Sequence, residues 1–139
     1  MILYDYVLSA SCYKIRLMAA LSGQKLELQA VNFHPAREHK SPEMLKLNPG
    51  GTLPILRDED LIMTDSSDML RHLTRNLPEW QGDDDGWLDF ARILNETLGM
   101  ARLHDVLGFE VDIDAARKRG VHLLRLLEAH LTEDRKSVV

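Results

Sequence analysis

The chain has 139 residues, 45% hydrophobic and 28% charged, with Lys+Arg 17 against Asp+Glu 22 for a formal net charge of −5. That balance suits one domain, or a domain and part of a second, and excludes a disordered chain; no apolar run approaches the ~18 residues of a membrane span, and Met1-Ile2-Leu3-Tyr4 lacks the basic-then-apolar opening of a secretory leader. A single cysteine, Cys12, excludes an internal disulfide framework and a CxxC redox or zinc site, so a soluble, cytoplasmic protein is expected.

Ile2-Leu3-Tyr4 is a short β-prone run, ended by the polar cluster around Ser9 and Ser11. Ile15, Met18 and Leu21 recur at helical spacing, with Gly23 as a natural stop. Leu26, Leu28 and Ala30 alternate with Glu27, Gln29 and Val31, which predicts a strand entering the body of a sheet. Asn32 to Ser41 is a polar loop carrying His34, Pro35, His39 and Lys40, and its lack of periodicity predicts an exposed position. Pro42-Glu43-Met44-Leu45 predicts a short helix with proline in its first turn.

Asn48-Pro49-Gly50-Gly51 is a turn signal. Thr52-Leu53-Pro54-Ile55-Leu56-Arg57 and Leu61-Ile62-Met63 flank the acidic turn Asp58-Glu59-Asp60, the pattern of a β-hairpin. Pro54 inside the first run removes a ladder donor, and a cis peptide is the usual accommodation. Asp65 or Ser66 then caps a helix whose apolar face is Met69, Leu70, Leu73 and Leu77. The order β-α-β-α-β-β-α over residues 1–76 predicts a compact α/β sandwich.

Residues 77–86, with Pro78, Gly82, Asp83-Asp84-Asp85 and Gly86, form the expected linker. Over 87–139 two long helical patterns follow without a strand signal. Trp87, Ala91, Leu94, Leu98 and Ala101 line the first, and Ile113, Ala116, Leu124, Leu127 and Leu131 the second. Gly120 weakens the second by about 1 kcal/mol relative to Ala. A break at Gly108 predicts an antiparallel pair. The first 76 residues carry 9 basic and 9 acidic side chains, so the whole −5 lies beyond them; neither half is the basic surface of a nucleic-acid binder. Asp83-Asp84-Asp85 lacks calcium-loop spacing and reads as a solvated linker. Asp112 and Asp114 suit a helix N-terminus, and His122 and His130 have no ligand-spaced partner, so no metal is expected.

Three blocks in the first half resemble the glutathione-binding, thioredoxin-like domain of the glutathione S-transferase family, in its bacterial and zeta-like members. They are Tyr4-Asp5-Tyr6 with Ser9-Ala10-Ser11-Cys12-Tyr13-Lys14-Ile15-Arg16, then Asn48-Pro49-Gly50-Gly51-Thr52-Leu53-Pro54-Ile55-Leu56, then Asp65-Ser66. Trp87-Leu88-Asp89-Phe90-Ala91, Ala101-Arg102-Leu103-His104 and Leu127-Glu128-Ala129-His130-Leu131 are similar to the family's second, all-α domain. Two departures stand out: Asp68 replaces a small apolar residue, and the helical domain is expected to be abbreviated to its first two long helices.

The resemblance implies glutathione as co-substrate, a small electrophile as the second substrate, and a homodimer. Glutathione brings a zwitterionic γ-glutamyl end and a thiol near pKa ~8.5–9. By resemblance, Leu53, before Pro54, offers its backbone N–H and C=O to the cysteinyl backbone, as an added strand would. Asp65 and Ser66 suit the γ-glutamyl ammonium and carboxylate at a helix N-terminus. His39 and Lys40 fall where the glycyl carboxylate is held. Ser9, Ser11 and Cys12 are the alternatives for contact with the sulfur. A serine hydroxyl there favours the thiolate for conjugation, whereas a reactive Cys12 implies mixed-disulfide exchange. A non-catalytic glutathione-fold binding or assembly module is the remaining alternative.

Overall fold

A computed structural model of the chain describes residues 1–81 and 86–137. The expected linker aspartates Asp83-Asp84-Asp85 lie outside the described residues. The chain divides into two compact units, Met1–Asp84 and Asp85–Val139.

The first unit runs β1 (Ile2–Asp5), α1 (Ala10–Leu21), β2 (Glu27–Ala30), α2 (Pro42–Leu47), β3 (Ile55–Asp58), β4 (Leu61–Met63) and α3 (Ser66–Thr74), with short 3-10 turns at Glu38–Lys40 and Pro78–Trp80. This is the thioredoxin-like order read from the sequence. The sheet order is β2-β1-β3-β4, with β1 parallel to β2 and both remaining pairs antiparallel.

Strand alternation sends neighbouring side chains to opposite faces. Leu3 and Leu56 pack with Ile15 and Ala19 of α1 and Met69 and Leu73 of α3. Tyr4 and Ile55 pack on the other face with Val31 and Met44 of α2. The sheet is thus covered on both sides, with proline at the first position of α2 behind a Ser41 cap that accepts from Met44 N–H.

Three expectations change in this unit, and one feature is added. β2 is an edge strand with all four residues exposed, rather than a strand in the sheet body. Leu21 is exposed, because the core face of α1 is Cys12, Ile15 and Ala19. The last helix ends at Thr74, so Leu77 lies beyond it, and Leu73 and Thr74 are the buried residues of its final turn. His34–Pro35 is a second cis peptide beside Leu53–Pro54.

The second unit is α4 (Trp87–Leu94), a π-helical turn (Asn95–Gly99), α5 (Met100–Leu107) and α6 (Ile113–Ser137). The first three form one helical run, in which Thr97 Oγ lies 3.2 and 2.9 Å from the carbonyls of Ile93 and Leu94. Arg117 meets Asp105, Gly120 meets Leu98, and His130 meets Trp87, so the run and α6 are antiparallel. The buried leucine of α6 is Leu123, whereas Leu124 and Leu131, expected inside, are exposed. Gly120 is a packing requirement as well as a helix weakness. A Cβ there would stand 2.3 Å from Leu98 Cδ2. Among the described residues, no helix is long and apolar enough to cross a membrane.

Candidate functional site

Strand register brings the candidate residues together. Tyr4 pairs with Ile55, so the turn leaving β1 and the Leu53-Pro54 segment entering β3 lie at one end of the sheet. Leu56 pairs with Met63, which brings the exit of β4, and hence Asp65-Ser66, to that same end. Asp5 pairs with Ala30 in the parallel pair, so the loop carrying His39 and Lys40 leaves from there too. Four segments far apart in sequence share one rim.

Ser9 is the N-cap of α1, its oxygen accepting from Cys12 N–H at 3.2 Å. Ser9 N–H donates to Tyr6 O at 2.9 Å, which closes the turn after β1. Arg16 pairs with Asp5 and donates to Val7 O, tying α1 back to the strand end. Serine suits this place because its oxygen satisfies an orphan N–H while the hydroxyl keeps a proton to donate.

Cys12, one turn along, is fully buried. Burial pushes its thiol above the ordinary range, and the Ser9 hydroxyl and Tyr6 backbone only partly counteract this. A cysteine so placed behaves as a small core residue. The Ser9 hydroxyl acts in the thiolate's favour even so. Ser11 is half-buried in the first turn.

At the entry to β3, Leu53 N–H and C=O have no partner among the described residues, and the Leu53–Pro54 peptide is cis. The preceding turn is held by Asn48, which bonds Thr52 O at 3.0 Å and Gly50 N–H at 3.0 Å. Gly51 has φ +57 with Lys40 Nζ 2.6 Å from where its Cβ would stand, so a side chain there would be both strained and obstructed.

Asp65, rather than Ser66, caps α3. Its Oδ1 accepts from Ser67 N–H at 2.8 Å and Asp68 N–H at 3.1 Å, which leaves Oδ2 available. Ser66 is the first residue of the helix, and its side chain receives a 2.9 Å hydrogen bond from Lys14 Nζ on α1. Asp68 pairs with Arg71 at 3.3 Å on the exposed face.

His39 and Lys40 separate. Lys40 is exposed and donates to Gly50 O at 3.2 Å. His39, expected on an exposed loop, is 7% exposed, stacked at 4.0 Å on Phe33, which stacks in turn on Tyr6 at 5.2 Å. Burial and the neighbouring Lys40 and Arg37 charges hold its imidazole below the ordinary value. Its Nδ1 is buried with no hydrogen-bond partner among the described residues. The aromatic ladder anchors the loop to the turn after β1, which the aperiodic polar sequence gave no sign of.

Lys14, not among the residues expected at the site, reaches Ser66 from α1. Its only sequence signal is a charge between the core positions Cys12 and Ile15, and its partner Ser66 is 52 residues away. No group of three metal-ligating side chains occurs among the described residues.

Residues 3–80 match the family described as "Glutathione S-transferase, N-terminal domain". The sequence is 37% identical over 77 residues to Glutathione S-transferase 1 of Dianthus caryophyllus, covering 55% of this chain and 34% of that protein. Glutathione S-transferase 1 of Zea mays is 29% identical across 94% of this chain and 69% of its own length. A glutathione transferase of Phanerochaete chrysosporium, solved in complex with oxidized glutathione, shares the fold with a TM-score of 0.78 at 23% identity, over 94% of this chain and 67% of that one. The match to the carnation protein thus spans about a third of its length.

Proposed function

The chain belongs to the glutathione S-transferase family, and from that premise we propose that it binds glutathione at the shared rim of its sheet and transfers the thiolate to a small electrophile. The observation carrying this reading is the convergence of Ser9, Leu53 and Asp65-Ser66 at one sheet end through the registers of β1, β3 and β4.

Leu53 N–H and C=O receive the cysteinyl backbone as an added strand. Ser66 N–H and O–H take the γ-glutamyl carboxylate, and Asp65 Oδ2 takes the ammonium. Lys40 reaches the glycyl carboxylate, with His39 supporting the loop beneath. The sulfur then lies at the start of α1, where the Ser9 hydroxyl donates to it. Lowering a thiol pKa by ~2 units requires about 2.7 kcal/mol of preferential thiolate stabilisation, which a charge-assisted hydrogen bond and a helix N-terminus supply in order of magnitude. The thiolate lone pair forms a C–S bond to the electrophile as a leaving group departs with its electron pair or, in an addition, as the π pair moves onto the adjacent heteroatom and is protonated. Burial of Cys12 favours Ser9 over a cysteine-based exchange. The reading divides the chain into a glutathione-binding domain at 1–76, a linker at 77–86 and a helical domain at 87–139. It includes a homodimer and a cytoplasmic setting, both carried by the resemblance to the family.

Calorimetry should show glutathione binding, and Ser9→Ala should slow conjugation about 100-fold at neutral pH by raising the bound thiol's pKa. Absence of binding at millimolar glutathione overturns the proposal. Binding without turnover on aryl halides or isothiocyanates replaces it with a binding module. Loss of activity in Cys12→Ala rather than Ser9→Ala replaces it with thiol exchange.

A further inference from the structure

An ion pair brackets the turn that carries Ser9. Asp5 is the last residue of β1, and Arg16 lies in the second turn of α1. Their side chains are 12% and 22% exposed and are paired through Asp5 Oδ1 and Arg16 Nη1. Arg16 Nη2 reaches the Val7 carbonyl at 3.5 Å, and its guanidinium stands 5.8 Å from the centre of the Tyr13 ring. One side chain thus touches the strand end, the turn and the helix. The Asp5 backbone is fixed as well, its carbonyl accepting from Val31 N–H at 2.8 Å.

The pair also sets the charge around the turn. The Cys12 thiol, one turn along from Ser9, registers both members: the Asp5 charge pushes it up and the Arg16 charge pulls it down. A thiolate forming at the start of α1 meets the same two charges with the same signs. A carboxylate so withdrawn from water, left without its counter-charge, would oppose that anion with little screening. Paired, the two charges largely cancel, and the helix N-terminus and the Ser9 hydroxyl act unopposed. Of the other charged side chains along this rim, Lys14 and Asp65 act on each other, and Lys40 and Arg37 act on His39. On α1 itself, Cys12 and Tyr13 are the titratable neighbours of the pair.

We propose that Arg16 is a positioning residue for the reaction: it holds the Ser9 turn against the end of β1 and cancels the Asp5 charge beside the glutathione sulfur. This inference rests on the glutathione-binding reading above and adds to it a charge pair that touches no part of the ligand.

The test follows the thiolate of bound glutathione by its ultraviolet absorbance, and conjugation of an aryl halide, across pH in the full chain. Arg16→Met leaves Asp5 uncompensated and should raise the bound thiol's pKa by about one pH unit. Conjugation should then slow about 10-fold at neutral pH and much less in alkaline buffer, where the thiol ionises in either protein. Asp5→Asn keeps the shape and an acceptor for Arg16 while removing the negative charge, and should lower the thiol pKa. The double variant should recover most of the 10-fold loss. Arg16→Lys keeps the charge but not the two-pronged reach, and should leave the pH profile in place with about a 3-fold loss at every pH. Thermal melts and the glutathione KM of each variant separate folding and binding from turnover. A loss in Arg16→Met that is equal at every pH, or no loss, overturns the proposal. Should that variant fail to fold, a thiol pKa that does not fall in Asp5→Asn overturns it instead. In each of these cases wild-type binding of glutathione leaves the family reading standing, whereas a wild type that binds none overturns both.

Discussion

In the α/β unit Leu3, Ile15, Ile55, Leu56, Met69 and Leu73 are below 2% exposure, and they fill both faces of one sheet. In the helical unit Ala101 and Leu123 are the buried apolar residues among those described, while Val106, Val121, Leu124 and Leu126 are 44% to 55% exposed. The contrast follows from geometry. A sheet has two faces, and helices on each close two layers of core. An antiparallel helical pair has a single seam, so apolar side chains off that seam stay at the surface. The first unit therefore has what is needed to hold a precise site, and the second contributes mainly helix-to-helix contacts.

The sharpest way to break this comparison is truncation of one leucine on each side. Leu56→Ala should cost about 2–5 kcal/mol, because a fully buried side chain leaves a cavity in the sheet core. Leu124→Ala should stay within about 0.5 kcal/mol. Urea unfolding followed by circular dichroism would compare them, and similar losses would mean that the helical surface is covered in solution.

A medium effect sits in the seam itself. Gly120→Ala gains helix propensity of about 1 kcal/mol but must displace Leu98, and overpacking costs about 1–3 kcal/mol. Net destabilisation of about 1 kcal/mol is expected. Leu98→Ala in the same chain should turn the glycine substitution favourable, a reversal that a double-mutant cycle reads directly.

The smallest contrast compares polar contacts. His72 Nε2 lies 2.8 Å from Asp58 Oδ2 and joins α3 to β3, with both side chains a quarter exposed or less. The hydrogen bond from His72 holds the Asp58 carboxyl below its ordinary value of 3.8, with the His72 and Arg75 charges assisting and burial opposing. A depressed carboxyl contributes stability that is full above that ordinary value and is lost as pH falls through the folded value. Asp58→Ala should therefore lower stability at pH 7 by about 1 kcal/mol and flatten the acid limb of a stability–pH curve below about pH 4. Asp105→Ala, which breaks an Arg117 pair half exposed on both sides, should change stability by less than about 0.5 kcal/mol.

The element order was legible because its determinants act over a few residues. Pro42 with Ser41 starts α2, Asn48 closes the turn before β3, and Asp65 starts α3. The blocks Ser9 to Arg16, Asn48 to Leu56 and Asp65-Ser66 could be recognised for the same reason. Burial was legible less well. Leu123 and Leu124 of α6 are equally apolar, and the choice between them depends on where α5 crosses. His39 sits in a polar, aperiodic stretch, and its burial depends on Phe33 and Tyr6 stacking from two different segments.

The sequence by itself determined the order of strands, helices and turns in the first unit and the pairing of two long helical patterns in the second. It did so because proline geometry, cap side chains and apolar periodicity are local. Only the tertiary structure decided that the Ser9 turn, Leu53 and Asp65-Ser66 share one rim, that β2 is an edge strand, and that Lys14 meets Ser66 across 52 residues. Those outcomes depend on strand register and helix placement, which couple residues far apart in the chain and leave no spacing to read.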